Sequence, residues 1–175
     1  MSSIPEEFDE SFQPVTGAAV TLRPLRPEDL DIETAFVEGL SPETRANRLL
    51  GGAIRITREY IERLIRVDYA RDMALAATVM LEDRETLIGV ARYAREADGA
   101  SAEFALVVAD AWQGRGIGRR LLQKLIAVAR ARGLKVLYGD TLAANRPMLE
   151  LARSVGFRIG RHPEESHLTR LTLAL

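Results

Sequence analysis

Cysteine is absent from the 175 residues of the chain, and histidine occurs only twice. Without cysteine the protein has no disulfide, no thiolate metal site and no cysteine nucleophile, and no thioester can form on the chain itself. Two histidines are too few for a histidine-rich metal centre, so we expect no metal. A cysteine-free composition fits the reducing cytoplasm, which is the location we expect.

Long hydrophobic runs and an excess of charge are also missing. The longest uncharged apolar run extends from Met73 to Leu81, less than half of the about 20 residues that cross a bilayer as a helix. The 24 Lys and Arg nearly balance the 25 Asp and Glu, whereas binders of nucleic acids or membrane surfaces carry a basic excess. We therefore expect neither a nucleic acid nor a membrane as a partner. The acidic N-terminus does not have the pattern of a secretory signal.

The chain length predicts one folded domain, because domains average about 150 residues. Residues 1–16 are acidic, and Pro5 and Pro14 interrupt any periodicity within them. These residues are therefore predicted to be a disordered acidic arm. Residues 17–175 are expected to form the single domain.

Apolar periodicity alternates between strand and helix along this domain. Strand patterns occur at 19–23, 73–81, 86–95, 102–108, 134–138, 157–160 and 168–173. Helical patterns begin near residues 27, 42 and 57, with Ser41 and Thr57 as N-terminal signals, and two more cover 116–132 and 145–155. The order predicts a mixed α/β (α+β) domain with one central sheet.

The helix at 116–132 has a broad apolar face that predicts close packing against the sheet. Its members are Ile117, Leu121, Leu122, Leu125, Ile126, Val128 and Ala129.

The most informative segment is the glycine-rich loop, which we define as Gln113–Arg119. It leads from a strand into this helix, and its glycines leave backbone N–H groups free to approach a ligand. A helix N-terminus favours an anion. Between Gln113 and Lys135 the chain holds basic residues and no acidic one. This pattern predicts a phosphate ligand, although a glycine-rich turn that only starts a helix would look similar.

Two common phosphate motifs do not fit this loop. No segment has the G-x-x-x-x-G-K-[ST] pattern of a nucleoside triphosphatase, and Arg119 stands where a dinucleotide fingerprint needs its third glycine. Gln113-x-x-Gly116-x-Gly118 resembles instead the acetyl-CoA pyrophosphate loop of the GNAT superfamily of N-acetyltransferases. The resemblance implies the GNAT fold, a mixed and mostly antiparallel sheet of six to seven strands flanked by helices. It also implies acetyl-CoA as co-substrate and no metal.

The same resemblance assigns the residues that contact acetyl-CoA. The strand before the loop would pair with the pantetheine arm, the loop would surround the pyrophosphate, and the start of the next helix would add one contact. The residues are Leu106, Val107, Val108, Gln113, Gly114, Arg115, Gly116, Ile117, Gly118, Arg119 and Asn145.

A closer resemblance is to the acetyltransferase domain of bacterial Pat-type protein lysine acetyltransferases. It is carried by the segments 40–45, 67–74, 102–105, 112–118 and 145–152. It implies a protein lysine as the acceptor and residues 40–74 on the acceptor side. A small-molecule amine remains an alternative acceptor, and a non-catalytic module that binds or senses acyl-CoA remains an alternative function. A homodimer is compatible with the sequence.

Glu103 is the candidate general base. A lysine amine has a pKa near ~10.4, so at neutral pH it must lose a proton before it attacks. The residues alone are equally compatible with Glu103 as a general base and as a solvent-facing glutamate of a strand. The Pat-type resemblance places the catalytic glutamate at this Ala-Glu-Phe-Ala position. The tyrosine that many family members use as general acid is replaced by Leu151-Ala152, and Tyr138 is a weak substitute that we expect to be structural.

Overall fold

The computed structural model describes residues 4–5, 8–13 and 17–175. Within them, eight strands form one sheet. The strands are β1 Glu10–Phe12, β2 Val20–Pro24, β3 Met73–Leu81, β4 Arg84–Arg95, β5 Ser101–Val108, β6 Val136–Leu142, β7 Arg158–Arg161 and β8 Leu168–Ala174. The helices are α1 Leu30–Gly39, α2 Pro42–Arg48, α3 Arg58–Ile65, α4 Ile117–Ala131 and α5 Arg146–Ser154. The predicted mixed, mostly antiparallel sheet flanked by helices is confirmed.

The strand order is β1-β2-β3-β4-β5-β6-β8-β7, and every neighbouring pair is antiparallel except β5 and β6. These two parallel strands pair only from Ser101 to Glu103, opposite Val136 to Tyr138. Beyond Glu103 they part, although β5 continues to Val108 and stays paired with β4 on its other edge. A gap therefore opens in the middle of the sheet.

Phe104 and Gly139 occupy the point where the gap begins. A Cβ added to Gly139 would lie 2.7 Å from Phe104 Cε1 and 2.8 Å from the Phe104 carbonyl oxygen. The ring of Phe104 is buried and lies 5.0 Å from that of Phe157. Only glycine leaves room for this aromatic pair beside β6.

The core lies on both faces of the sheet. All seven apolar residues predicted for the α4 stripe are buried, and they pack against the face that includes Ala102 and Phe104. Helices α1 and α3 cover the opposite face through residues such as Phe36 and Ile65. The predicted helix starts are confirmed as well, because Ser41 accepts a hydrogen bond from the Thr44 N–H and Thr57 accepts one from the Tyr60 N–H.

The N-terminal arm requires a correction. Glu10–Phe12 is a strand paired with β2, so the sheet has one strand more than the upper limit predicted from the sequence. Glu10 binds Arg120 at 2.8 Å and Lys124 at 3.2 Å on α4, while Phe12 packs against the core. Local sequence did not indicate these partners because they lie over 100 positions away. Residues 1–3, 6–7 and 14–16 of the predicted arm lie outside the described residues.

No helix in the described ranges is long and apolar enough to span a membrane.

We expect Gly139→Ala to lower the free energy of unfolding by about 1–3 kcal/mol, because the new methyl group overlaps Phe104. Gly160→Ala on β7 is the matched control, since its Cβ would have no described atom within 4 Å. Urea unfolding of both variants measures the difference. Equal stability of the two variants would contradict the packing argument.

Candidate active site

The glycine-rich loop joins β5 to α4 through a short 3-10 turn, Asp110–Trp112. Gly114 has φ +73° and Gly116 has φ +83°, a left-handed conformation that favours glycine. A Cβ at either position would meet no described atom within 4 Å, so both glycines border open space. Gly116 is the N-cap of α4, and no described side chain caps this helix end. Its first N–H groups are thus available to an anion.

Gly118 has a different role from the other two glycines. A Cβ there would lie 3.4 Å from Leu151, 3.5 Å from Val108 and 3.7 Å from Leu106. The glycine therefore lets the first turn of α4 pack closely on β5 and α5. The neighbouring Ile117 is buried in the core, which anchors the loop at its helical end.

The arginines around the loop differ in their partners. Arg120 is neutralised by Glu10. The guanidinium of Arg115 lies 5.0 Å from the ring centroid of Trp112, and Arg119 donates to Ser154 Oγ at 3.2 Å. Neither Arg115 nor Arg119 forms an ion pair with a carboxylate in the part of the chain described. Their positive charge is available to a phosphate beside the helix N-terminus.

The far half of β5 borders the gap. Leu106 and Val108 pack toward the α4 side of the sheet, and Val107 toward the α1 side. No described strand pairs with the β6-facing edge of β5 beyond Glu103. The backbone polar groups of this edge can accordingly hydrogen-bond an extended ligand in the gap.

Glu103 lies at the last residue pair before the gap, opposite Tyr138 of β6. Its side chain is partly exposed on the face opposite α4. Partial burial, together with the negative charges of Asp140 and Glu96, raises the pKa of Glu103 above its usual range. Arg170 and Arg48 act in the opposite direction. A carboxylate with a raised pKa is a stronger base than an ordinary glutamate.

Tyr138 is held in place by its neighbours. Its hydroxyl donates to Glu96 Oε1 at 2.5 Å, and its ring lies 4.8 Å from the guanidinium of Arg170. The bond to Glu96 raises the pKa of Tyr138 to about 12. These contacts favour the structural role expected from the sequence over that of a general acid.

Asn145 lies just beyond the end of β6 and caps α5. Its Oδ1 accepts from the Met148 N–H at 3.3 Å, and its Nδ2 donates to Thr141 Oγ1 at 3.2 Å. Gln113 is engaged in a similar way, since its Nε2 donates to Val108 O at 3.0 Å and to Thr44 Oγ1 at 3.1 Å. Both side chains hold elements together at the edges of the gap.

A cavity of about 30 Å³ lies between α1, α2, α3 and the sheet, on the Glu103 face, with Ala105 and Val107 in its lining. We call it the helical-face cavity. Buried Glu33 lines it with Arg92, whose Nη2 lies 3.8 Å from Glu33 Oε1. Burial raises the pKa of Glu33, and its Oε2 has no hydrogen-bond partner among the described residues.

The pair of Glu33 and Arg92 was not predicted from the sequence. The available signal was one charged residue, Arg92, within the apolar run of β4. The described residues contain no group of three or more His, Asp or Glu side chains that could hold a metal ion.

The fold and the loop define an acyltransferase of the acetyl-CoA-dependent type, and comparisons with known proteins agree. The model of the Acetyltransferase (GNAT) family matches residues 46–157. An acetyltransferase of Pseudomonas aeruginosa is 36% identical over 159 residues, which cover 91% of this chain and 86% of that protein. The chain therefore belongs to the GNAT acetyltransferase family and is an acetyl-CoA-dependent N-acetyltransferase.

Two further matches confirm the resemblance to Pat-type acetyltransferase domains. The acetyltransferase Pat of Mycolicibacterium smegmatis is 34% identical over 143 residues, 81% of this chain but only 42% of that protein. The crystal structure of the GNAT domain of S. lividans PAT has a TM-score of 0.88 and 28% identity, covering 99% of this chain and 100% of that one.

We expect Gly116→Ala to weaken acetyl-CoA binding at least about tenfold, or about 1.4 kcal/mol, because a methyl group would enter the open side of the loop. Gly133→Ala is the matched control. Gly133 follows the other end of α4, has φ +74° and likewise has no described atom within 4 Å of its Cβ. Both variants carry the same backbone strain, so calorimetry isolates the effect of position. Equal affinities would refute phosphate binding at this loop.

Proposed function

We propose that the protein transfers the acetyl group of acetyl-CoA to a lysine side chain of a protein by direct attack in a ternary complex, with Glu103 as the general base. The observation that carries this proposal is the position of Glu103 at the last paired residue, where β5 and β6 part. A thioester that enters the gap from the glycine-rich loop would reach this point. An amine approaching from the opposite face would meet Glu103.

In this proposal, backbone groups and side chains both contact acetyl-CoA. The free edge of β5 at Leu106, Val107 and Val108 would pair with the pantetheine arm, in the manner of an added strand. The loop Gln113–Arg119 would hold the pyrophosphate through N–H groups at the start of α4, with Arg115 and Arg119 supplying charge. Asn145 would border the arm from the β6 side.

The chemistry requires one proton transfer before attack. Glu103 accepts a proton from the lysine ammonium, directly or through one water, and the neutral nitrogen attacks the thioester carbonyl carbon. The carbon–nitrogen bond forms and the carbon–sulfur bond breaks, so that coenzyme A leaves as a thiolate. The nitrogen releases its second proton as the amide forms, and water returns a proton to the thiolate. Leu151 and Ala152 offer no acidic group for that last step.

We expect Glu103→Gln to lower turnover at neutral pH by roughly 10²-fold or more, the usual contribution of a general base. Acetyl-CoA affinity should stay unchanged, because the side chain lies on the face opposite α4. Glu150→Gln, which alters an exposed carboxylate on α5, is the control. A Glu103→Gln variant with the turnover of the wild-type enzyme at neutral pH would exclude this residue as the base.

The pH profile separates a base from a merely structural carboxylate. Glu103 acts when ionised, so activity falls as the pH drops through its raised pKa. Glu96→Gln removes one of the negative charges that raise this pKa. The acidic limb of the profile should therefore move to lower pH in Glu96→Gln and disappear in Glu103→Gln. An acidic limb that stays at the same pH in Glu96→Gln would indicate that a group other than Glu103 causes it.

The acceptor is tested with labelled acetyl-CoA and a cell lysate separated into protein and small-molecule fractions. We expect label in the protein fraction, on lysine, because the segments shared with Pat-type domains include the acceptor-side residues 40–45 and 67–74. Label confined to the small-molecule fraction would replace the lysine proposal with a small amine. Acetyl-CoA binding without label in either fraction would favour the non-catalytic module.

A further inference from the structure

The carboxylate of Asp110 collects hydrogen bonds from the start of α2. Its Oδ2 accepts from the Ser41 N–H at 2.9 Å, and its Oδ1 accepts from Ser41 Oγ at 2.6 Å and from Thr44 Oγ1 at 2.7 Å. Gln113 donates to the same Thr44 hydroxyl at 3.1 Å. We call these four residues the Asp110 clasp. It joins segments that are 66 to 69 positions apart in the chain.

The clasp connects the two sides of the site. Asp110 and Gln113 belong to the segment that enters the glycine-rich loop, which is fixed at its far end by buried Ile117. On the other side, Arg45 and Arg48 of α2 line the helical-face cavity. Arg48 is also one of the two arginines whose charge counteracts the raised pKa of Glu103. The position of α2 thus sets part of the surface that faces an incoming amine.

Helix α2 has little else to hold it. It is seven residues long, and none of these seven described residues is fully buried. An isolated helix of this length is unstable in water, because most helical stability comes from tertiary packing. Besides the clasp, the guanidinium of Arg45 donates to the carbonyls of Val37, Glu38 and Leu40 at the end of α1. Polar bonds therefore supply much of what positions α2, which has no fully buried side chain.

We propose that Asp110 is a positioning residue, which holds α2 against the glycine-rich loop and thereby sets the acceptor side of the active site. The carboxylate suits this role because it accepts three hydrogen bonds at once, whereas an asparagine amide would offer one oxygen only. The effect of Asp110 on the acceptor side rests on the proposed function. Its effect on the position of α2 does not, because α2 is held in the same way in the protein without substrate.

The role of Asp110 in holding α2 is tested by hydrogen–deuterium exchange of the Asp110→Asn variant. Exchange of the α2 amides should rise about tenfold or more, which corresponds to the loss of hydrogen bonds to a charged group. The matched control is Asp98→Asn. Asp98 is also exposed and also accepts three hydrogen bonds, from Ala100 N–H, Ser101 N–H and Ser101 Oγ, but it lies in the β4–β5 turn. Exchange in α2 should stay unchanged in this control.

The effect of Asp110 on the acceptor side is tested by steady-state kinetics with the acceptor that the lysate experiment identifies. Asp110→Asn should raise the acceptor KM by about tenfold, with kcat within about twofold of wild type and acetyl-CoA affinity by calorimetry unchanged. Asp98→Asn should alter none of these values. Asp110→Glu keeps the charge and both oxygens, so its acceptor KM should lie between those of the wild-type protein and Asp110→Asn.

The outcomes separate the two proposals. Unchanged exchange of α2 in a folded Asp110→Asn variant would overturn the positioning role, whatever the acceptor. Equal losses in acetyl-CoA affinity and acceptor KM would also overturn it, since they indicate a collapse of the whole loop. If Asp110→Asn does not fold, Thr44→Val removes the bond that Thr44 Oγ1 donates to Asp110 and the bond that it accepts from Gln113. It leaves both bonds from Ser41 to Asp110 in place and should give a smaller change of the same kind. A small-molecule acceptor would contradict the lysine proposal and leave this one intact.

Discussion

The parting of two parallel strands after three residue pairs is the constraint on which the site depends. A sheet normally satisfies its backbone groups by pairing along the full strand, and β5 gives up that pairing on one edge from Phe104 onward. The bulky pair Phe104 and Phe157 fills the space where β6 departs, and Gly139 accommodates it. Burial of these two rings stabilises the point at which the strands part. The result is the gap in the sheet, or slot, which has the hydrogen-bonding groups of the free β5 edge along one wall.

Every proposed functional group is arranged around this slot. The loop and the start of α4 lie at one end of β5, on the face where α4 packs. Glu103 lies where the slot closes, on the opposite face. Because successive strand residues point to opposite faces, one strand would supply both the donor-side contacts and the base of the proposed mechanism. In the proposed mechanism, donor and acceptor therefore approach from different sides, which would allow both to be bound when the acetyl group moves.

The parts that could be predicted from the sequence are those determined by near neighbours in the chain. The buried stripe of α4, the caps at Ser41 and Thr57 and the glycine-rich turn all follow from spacing within a few residues. The missed features depend on partners far along the chain. The cations that bind Glu10 lie on α4, and the carboxylate that accepts from Ser41 and Thr44 belongs to Asp110, 66 to 69 positions further along the chain. The charged pair Glu33 and Arg92 becomes apparent only when α1 is laid over β4.

Trp112, which stacks with Arg115 beside the glycine-rich loop, is the only tryptophan in the chain. Its indole is half-buried, and the guanidinium above it is one of the two charges that a bound phosphate would draw toward itself. Intrinsic fluorescence excited at the red edge of protein absorption therefore arises from this one position. We expect this emission to change when the proposed acetyl-CoA site at the loop is filled, so that titrations can follow the donor without a label or a coupled assay.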